Sequence, residues 1–82
     1  MVKSLWLTGE MTMTGYRQMA AKIAARIVAG EWPAGGRVPT TKQFAAEYGA
    51  SEYTAYRALS LLIDRGLLIG KRGGGRYVAP LR

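Results

Sequence analysis

Basic, hydroxyl and aromatic side chains gather in two short stretches of this sequence, and both have the chemistry of a polyanion-binding surface. The first stretch, residues 51–57, contains a serine, a threonine, two tyrosines and an arginine. The second, residues 71–76, places Lys71, Arg72 and Arg76 around three consecutive glycines. Cationic side chains bind phosphates, and the arginine fork also pairs with O6 and N7 of guanine. The two stretches therefore indicate nucleic-acid contacts.

The sequence lacks the residues that catalysis, disulfide formation and metal binding commonly require. The chain has no cysteine and no histidine, which excludes disulfides, thiolate catalysis and the commonest general base and metal ligand. Its five carboxylates lie in separate segments, and their spacing does not indicate the paired arrangement that acid–base chemistry needs. We expect a protein that is not an enzyme and that has no cofactor and no metal site.

Length and charge set further bounds. Eighty-two residues correspond to one small domain. Twelve Lys and Arg against five Asp and Glu give a net charge of +7, which attracts nucleic acid or an acidic membrane surface. No apolar run reaches the roughly 18 residues of a membrane span, and none resembles a secretory signal. We expect a cytoplasmic, nucleoid-associated protein with no membrane partner.

The stretch at residues 51–65 is predicted to be an amphipathic helix. Ser51 is a suitable N-cap, and Gly66 is a suitable C-terminal stop because glycine adopts the left-handed conformation without a Cβ clash. Apolar residues recur with the helical period at Ala55, Ala58, Leu59, Leu62 and Ile63. The opposite face carries Tyr53, Tyr56, Arg57, Ser60 and Asp64. We predict that the first face is buried and the second is exposed.

Two further helices must position this one. The first is predicted over residues 14–29, with an apolar stripe made of Tyr16, Ala20, Ile23, Ala24, Ile27 and Val28. A loop with two prolines follows, in which Trp32 is predicted to cover the edge of the core and Arg37 to begin a short strand. Thr40 and Gln43 form a capping box for a short second helix, which ends before the turn at Gly49.

The short helix, glycine turn and longer capped helix are typical of a helix-turn-helix. Residues 67–79 predict a β-hairpin with the basic glycine segment at its tip, ended by Pro80. We therefore predict an α+β, mainly α fold over residues 14–80, with three helices and a C-terminal β-hairpin wing. The predicted core consists of Tyr16, Ile23, Ile27, Phe44, Leu59, Leu62 and Leu68.

Residues 1–13 show no clear period, although they contain the apolar cluster Leu5-Trp6-Leu7. We expect them to form an N-terminal arm, and three alternatives remain open for it. The arm packs on the domain, pairs with a second copy of the chain, or is flexible and precedes an alternative start at Met11 or Met13.

Taken together, six segments in this order resemble the N-terminal winged helix-turn-helix domain of the GntR family of bacterial transcription regulators. They span residues 16–79 and consist of the helix beginning at Tyr16, then GEWPAGGRVPT, FAAEYGAS, TAYRAL, LIDRGLL and KRGGGRYV. Members of this family usually carry a larger C-terminal domain that binds an effector and forms the dimer. We expect this chain to be either a freestanding DNA-binding module or part of a longer regulator, with no small-molecule effector for these residues alone.

The resemblance also implies roles for individual residues. Lys42 occupies a position where the family commonly has a DNA-contacting arginine. Ser51 and Thr54 match hydroxyl residues that contact phosphates, and Arg72 and Gly73 match the wing tip that enters the minor groove.

Two positions depart from the family pattern. Glu52 and Tyr56 stand where the family often has arginines, so an operator sequence cannot be borrowed from a relative. From the chemistry of the side chains, Arg57 is predicted to pair with guanine, and the two tyrosines to contact thymine methyl groups or phosphates. The alternative for Arg57 is a solvated charge paired with Asp64 or Glu52.

The resulting expectation is a sequence-specific double-stranded-DNA-binding transcription regulator that acts as a repressor. Helix 51–65 would read the major groove, wing 71–76 would enter the minor groove, and a homodimer would bind two half-sites. The alternatives are a protein-interaction winged-helix module and a sequence-blind architectural DNA binder. The predicted DNA-binding residues are Lys42, Ser51, Glu52, Tyr53, Thr54, Tyr56, Arg57, Lys71, Arg72, Gly73, Gly74 and Arg76.

Overall fold

A computed structural model of the chain describes residues 2–71 and 74–80, with side chains described from residue 15 onward. The elements in chain order are α1 (Val2–Val28), α2 (Thr41–Tyr48), α3 (Glu52–Asp64), β1 (Leu68–Gly70) and β2 (Arg76–Val78). The two strands form an antiparallel hairpin in which Leu68 lies opposite Val78. This architecture confirms the predicted α+β, mainly α fold of three helices and a C-terminal wing.

The first helix begins earlier than predicted. The backbone of α1 is helical from Val2, whereas the sequence predicted a start near residue 14. Threonine and glycine at residues 14–15 suggested a helix start, but a glycine within a helix costs only about 1 kcal/mol relative to alanine. Since no proline interrupts residues 2–28, the helix continues through this point. The role of residues 1–13 as a functional arm stays a prediction.

The core lies where α1, α2 and α3 meet the inner face of the hairpin. Its largest fully buried side chains are Phe44, Ile23, Leu59, Leu62 and Leu68, all of which were predicted. Tyr16 and Ile27, also predicted to be core residues, are only partly buried against it. Val28 is 78% exposed, because neighbouring helical residues point about 100° apart and Ile27 already takes the inward position.

The helix-turn-helix forms as the sequence predicts. Thr40 caps α2 by accepting a hydrogen bond from the Gln43 backbone at 3.1 Å, and the Gln43 side chain accepts one from the Thr40 backbone at 2.8 Å. Gly49 then turns the chain with φ of +64°, the left-handed conformation that glycine adopts without strain. This turn sets the direction in which α3 leaves α2.

The loop between α1 and α2 joins the hairpin. Arg37 forms an antiparallel bridge with Tyr77, and the Val38 backbone N–H donates to the Arg76 carbonyl at 3.0 Å. The predicted short strand is therefore a single β-bridge on the outer side of β2. Trp32 meets Phe44 edge-on, with ring centroids 6.0 Å apart, which confirms that it covers the edge of the core.

A partly exposed cluster of charged side chains joins this loop to α1 and α2. Arg26 Nη2 donates to Glu31 at 2.6 Å, and Arg26 Nη1 donates to Glu47 and to the Tyr48 hydroxyl at 2.9 Å each. Its guanidinium also lies 4.9 Å from the centre of the Trp32 ring. We call these five residues the Arg26 cluster. The hydrogen bond to Glu31 is the main reason that the pKa of Arg26 is raised, and the same bond lowers the pKa of Glu31.

Candidate nucleic-acid interface

The N-terminus of α3 presents two hydroxyl groups that already bind each other. Ser51 Oγ accepts a hydrogen bond from the Thr54 backbone N–H at 3.0 Å and lies 2.9 Å from Thr54 Oγ1. Ser51 is exposed and Thr54 is half-buried. The cap thus fixes the hydroxyls at the surface, at the end of the helix where backbone N–H groups and the helix dipole favour an anion.

Glu52 has a local reason to be acidic. It is the first residue of α3 and is exposed, and a carboxylate in the first turn interacts favourably with the positive end of the helix dipole. The same negative charge weakens the attraction of this end for a phosphate. Its position is therefore consistent with stabilising α3, and no structural feature assigns it a base contact.

The outward face of α3 carries aromatic rings and one arginine. Tyr53 is 65% exposed, Tyr56 is 51% exposed, and Arg57 is exposed one turn after Tyr53. Contiguous exposed apolar patches rimmed by polar residues are typical of interaction sites, whereas single exposed side chains are not. The inward face consists of Ala55, Ala58, Leu59 and Leu62, all buried as predicted.

Arg57 is held by two tyrosines from different helices. Its Nη1 donates to the Tyr53 hydroxyl at 3.0 Å, and its guanidinium carbon lies 4.4 Å from the centre of the Tyr16 ring. We call Tyr16, Tyr53 and Arg57 the Arg57 cluster. The hydrogen bond to Tyr53 is the main reason that the pKa of Arg57 is raised, so this side chain stays fully charged.

The alternative partners considered for Arg57 do not bind it. Among the described residues, the ion pairs are those of Arg26 with Glu31 and Glu47. Asp64 lies two helical turns beyond Arg57, about 10 Å along the axis, which is too far for a side-chain pair. The predicted alternative, in which Arg57 pairs with Asp64 or Glu52, was therefore wrong, because Arg57 contacts the two tyrosines instead.

Tyr16 was assigned to the core by its spacing and has a second role at the surface. It is partly buried, and besides Arg57 its hydroxyl accepts a hydrogen bond from Arg17 Nε at 3.4 Å. This bond is the main reason that the pKa of Tyr16 is lowered, and the charges of Arg17 and Arg57 act in the same direction. No local sequence pattern indicates such a contact, because it joins residues 41 positions apart.

The tip of the wing has an exposed basic side chain, whereas the basic side chain at its base is bound to the helix-turn-helix. Lys71 is exposed, and its Nζ lies 5.0 Å from the centre of the Tyr77 ring. The backbone N–H of Gly74 donates to the Lys71 carbonyl at 3.1 Å, which closes the turn. The other two predicted tip residues, Arg72 and Gly73, lie outside the described residues.

Arg76 turns back to the helix-turn-helix instead of pointing out from the wing. Its Nη1 donates to Thr41 Oγ1 at 3.0 Å, and its guanidinium lies 6.0 Å from the centre of the Tyr56 ring. Arg76 therefore joins β2 to the first turn of α2 and to the outward face of α3. Lys42 follows Thr41 directly and is exposed, so a second basic residue lies in the same first turn of α2 that Arg76 contacts.

Sequence reasoning missed one cation beside the wing. Arg37 is exposed, and its guanidinium lies across the backbone at Gly75, where an added Cβ would stand 2.6 Å from Arg37 Nε. Any side chain at Gly75 would displace the arginine. The predicted strand at Arg37 was the available signal, since a strand paired with β2 brings this residue to the wing.

Two other classes of site can be assessed on the described residues. Within residues 2–71 and 74–80, no helix is long and apolar enough to cross a membrane. The side chains of residues 15–71 and 74–80 include no group of three carboxylate, histidine or cysteine residues arranged to bind a metal ion.

Known proteins are similar to this chain in sequence and in fold. Residues 15–78 match the family described as bacterial regulatory proteins, gntR family. The histidine utilization repressor of Pseudomonas aeruginosa is 35% identical over 71 residues, which are 87% of this chain and 28% of that protein. The mannosyl-D-glycerate transport/metabolism system repressor MngR of Escherichia coli is 36% identical over 67 residues, which are 82% of this chain and 28% of that protein.

Solved structures agree with the sequence matches. The AraR DNA-binding domain in complex with operator ORX1 has a TM-score of 0.74 and 31% identity, covering 78% of this chain and 77% of that chain. The N-terminal domain of AraR with mutant ORR3 has the same TM-score and identity, and 91% of that chain is covered. This chain spans 28% of the length of the two repressors above. On this sequence match and this winged helix-turn-helix fold, the chain belongs to the GntR family of bacterial regulatory proteins.

Proposed function

We propose that this chain is a sequence-specific double-stranded-DNA-binding module of a transcription repressor, with α3 as the helix that enters the major groove. The observation that carries the proposal is the outward face of α3, where Tyr53, Tyr56 and a charged Arg57 are exposed and no carboxylate within residues 15–71 and 74–80 pairs with the arginine. Major-groove base edges offer acceptors for such a guanidinium and methyl groups for the rings. Two relatives are named as repressors, and the AraR domain was solved with an operator.

The wing supplies the second contact in this proposal. Residues 71–76 would enter the minor groove, whose negative potential is strongest where the groove is narrow. Exposed Lys71 lies at the edge of this segment, and Arg37 lies beside it. Arg76 acts at the base, where its bond to Thr41 sets the angle between the wing and α2. Three glycines in the segment allow the backbone to approach the groove wall closely.

Phosphate contacts would come from the helix N-termini. Lys42 is exposed in the first turn of α2, and Ser51 is exposed at the cap of α3. Backbone N–H groups at these ends point toward bound anions, and phosphate contacts of this kind fix the register of a protein on the duplex. We assign these residues to positioning, and the residues on the outward face of α3 to base recognition.

The test of this proposal is fluorescence anisotropy at about 150 mM salt. Duplexes selected from a randomised pool by the protein are compared with shuffled duplexes of the same composition. A specific regulator is expected to prefer the selected duplex by ~10³ or more, the lower end of the range for specific DNA-binding proteins. Equal, strongly salt-dependent binding of both duplexes would contradict base recognition and favour the architectural alternative.

One observation favours the protein-interaction alternative. Glu52 lies beside the two exposed tyrosines, and tyrosine-rich patches are common in protein interfaces. The variant Lys71→Gln/Arg72→Gln separates the two functions, since it removes wing charge without touching that patch. We expect the slope of log K against log salt to fall by about 2, one for each lost phosphate contact.

A matched control for the wing variant is Arg65→Gln, a charge removed at the far end of α3, in its C-cap. This variant should leave the salt slope and the affinity close to those of the unaltered protein. If the two variants behave alike, or if neither changes DNA binding, the wing does not contact DNA and the protein-interaction module becomes the better interpretation.

We further propose that the protein binds DNA as a homodimer. A single module buries only about 600–1,000 Å² of protein surface on DNA, which limits affinity and specificity. The apolar cluster Leu5-Trp6-Leu7 lies within α1, ahead of its core-packed half, and would pair with a second copy. Sedimentation of the chain with and without residues 1–13 tests this role, and an unchanged molecular mass would contradict it.

The remaining parts of the proposal follow from the DNA-binding role. The protein would act in the cytoplasm, in contact with the nucleoid, without catalytic activity. We assign it no cofactor and no small-molecule effector. A thermal-shift screen against small metabolites that shows saturable stabilisation would contradict the last assignment.

A further inference from the structure

The Arg57 cluster combines two contacts that restrain one guanidinium in different directions. The guanidinium carbon of Arg57 lies 4.4 Å from the centre of the Tyr16 ring, within the range of a cation–π contact. The Tyr53 hydroxyl accepts a hydrogen bond from Nη1 at 3.0 Å, which restrains rotation of the guanidinium. Stacking alone would let the group rotate, and one hydrogen bond alone would let it tilt. Together the two contacts restrain the guanidinium more than either contact does alone.

From this geometry we propose that Tyr16 and Tyr53 are positioning residues, which hold the Arg57 guanidinium ready to pair with a guanine in the major groove. The inference rests on the proposed function and names two residues through which base recognition acts. Tyr16 belongs to α1 and Tyr53 to α3, so the packing of α1 on α3 sets where the arginine points.

The restrained arginine keeps donors for a base. Among the side chains of residues 15–71 and 74–80, the hydrogen bond made by the Arg57 side chain is the one from Nη1 to Tyr53. The edge formed by Nε and Nη2 is left for a bidentate contact, the geometry in which arginine recognises guanine O6 and N7. A long, flexible side chain loses conformational entropy when it binds, and restraining it beforehand reduces that loss.

The chemistry of the two partners suits this role better than carboxylates would. A phenol oxygen accepts a hydrogen bond without neutralising the guanidinium, so the positive charge remains available to a DNA base and to nearby phosphates. The Tyr53 hydroxyl also keeps its own proton, which can be donated to a phosphate. A carboxylate in its place would compete with guanine for the same donors.

The experiment measures discrimination at a single base pair. The duplex preferred by the unaltered protein is selected from a randomised pool, and each G·C pair in it is then replaced in turn. The pair read by Arg57 is the one at which Arg57→Ala loses discrimination, by about tenfold or more. At that pair, Tyr53→Phe and Tyr16→Leu are each expected to lose about three- to tenfold, with affinities for the other duplexes nearly unchanged.

Two variants provide matched controls. Tyr16→Phe keeps the ring beneath the guanidinium and should restore the discrimination that Tyr16→Leu loses. Tyr77→Phe makes the same chemical change as Tyr53→Phe on β2 and should have no effect at this base pair. In the Arg57→Ala background, neither Tyr53→Phe nor Tyr16→Leu should reduce discrimination further, because their effect passes through Arg57.

Circular dichroism melting separates positioning from folding. Tyr53 is 65% exposed, so Tyr53→Phe keeps the test decisive even if Tyr16→Leu lowers the melting temperature. Wild-type discrimination in both variants would overturn the inference while leaving the proposed function intact, and so would an equal loss on every duplex. If the unaltered protein selects no duplex, the proposed function fails and the inference fails with it.

Discussion

Arg26 and Arg57 each lie within 5 Å of the centre of an aromatic ring, but they have opposite surroundings. Arg26 lies near the C-terminal end of α1, with its guanidinium 4.9 Å from the Trp32 ring centre. The guanidinium of Arg57 lies 4.4 Å from the centre of the Tyr16 ring. Tyr16 precedes Arg26 by ten residues on α1, which is about 15 Å along the helix axis. The Arg26 cluster adds two carboxylates to its rings, whereas the Arg57 cluster adds only phenol groups.

The comparison shows that the charge of the neighbours distinguishes a structural arginine from one available to a ligand. Glu31 and Glu47 occupy the donors of Arg26 and neutralise it, so this residue joins α1 to the following loop and to α2. Arg57 keeps its charge at an exposed surface, and within residues 15–71 and 74–80 its Nε and Nη2 make no hydrogen bond. Stacking on an aromatic ring is common to both and therefore does not by itself indicate either role.

The largest expected effect is a loss of stability caused by a substitution on the buried face of α3. This loss is the reference with which the variants of the two arginine clusters are compared. Leu59 is fully buried opposite the face that carries Arg57, and Leu59→Ala should lower the free energy of unfolding by about 2–5 kcal/mol. Urea denaturation followed by circular dichroism measures this loss. A melting curve like that of the unaltered protein would show that the two faces of α3 are assigned incorrectly.

The next largest effect is a loss of DNA binding that leaves the stability of the protein nearly unchanged. Arg57→Ala should weaken binding to the selected duplex about tenfold or more, while the melting temperature changes little, because the side chain is exposed and bound only to tyrosines. Anisotropy and thermal melting of the same samples test both halves. If the variant unfolds at a markedly lower temperature, the Arg57 cluster is structural and the contrast with Arg26 disappears.

Arg26→Ala should show the reverse result. Its side chain is 25% exposed and carries hydrogen bonds to two carboxylates and a phenol, so the free energy of unfolding should fall by about 1–2 kcal/mol. Affinity for the selected duplex should remain that of the unaltered protein under conditions where both are folded. A loss of DNA discrimination at one base pair would place Arg26 in the interface and contradict the comparison.

The smallest effect is a pH dependence of the Arg26 cluster. The hydrogen bond from Arg26 lowers the pKa of Glu31 in the folded protein, so this carboxylate contributes stability above its unfolded pKa, near 4.5. That contribution is lost as the pH falls through the folded value. The melting temperature of Glu31→Gln should therefore be below that of the unaltered protein at pH 7, and the difference should shrink below about pH 4. A difference independent of pH would contradict this assignment.

The local elements of the fold were predictable because their causes are local. The Thr40–Gln43 box, the Ser51 cap and the turn at Gly49 each depend on residues within three or four positions. The helical period of α3 likewise placed its two faces, although Ile63, predicted to be buried, and Ser60, predicted to be exposed, are both partly buried. The start of α1 was predicted wrongly. The threonine and glycine at positions 14–15 have weak helix propensity, but they do not interrupt a helix that contains no proline.

The sequence by itself determined the composition of the candidate interface, a tyrosine- and arginine-bearing helix face followed by a basic glycine segment. Only the tertiary structure decided which cations are free and which are engaged. Arg26 reaches Glu47, Arg76 reaches Thr41, and Arg57 reaches Tyr16 across 21, 35 and 41 positions of the chain. Contacts of this range exist only after the helices pack, because packing, and not spacing along the chain, brings a guanidinium within 3–5 Å of its partner.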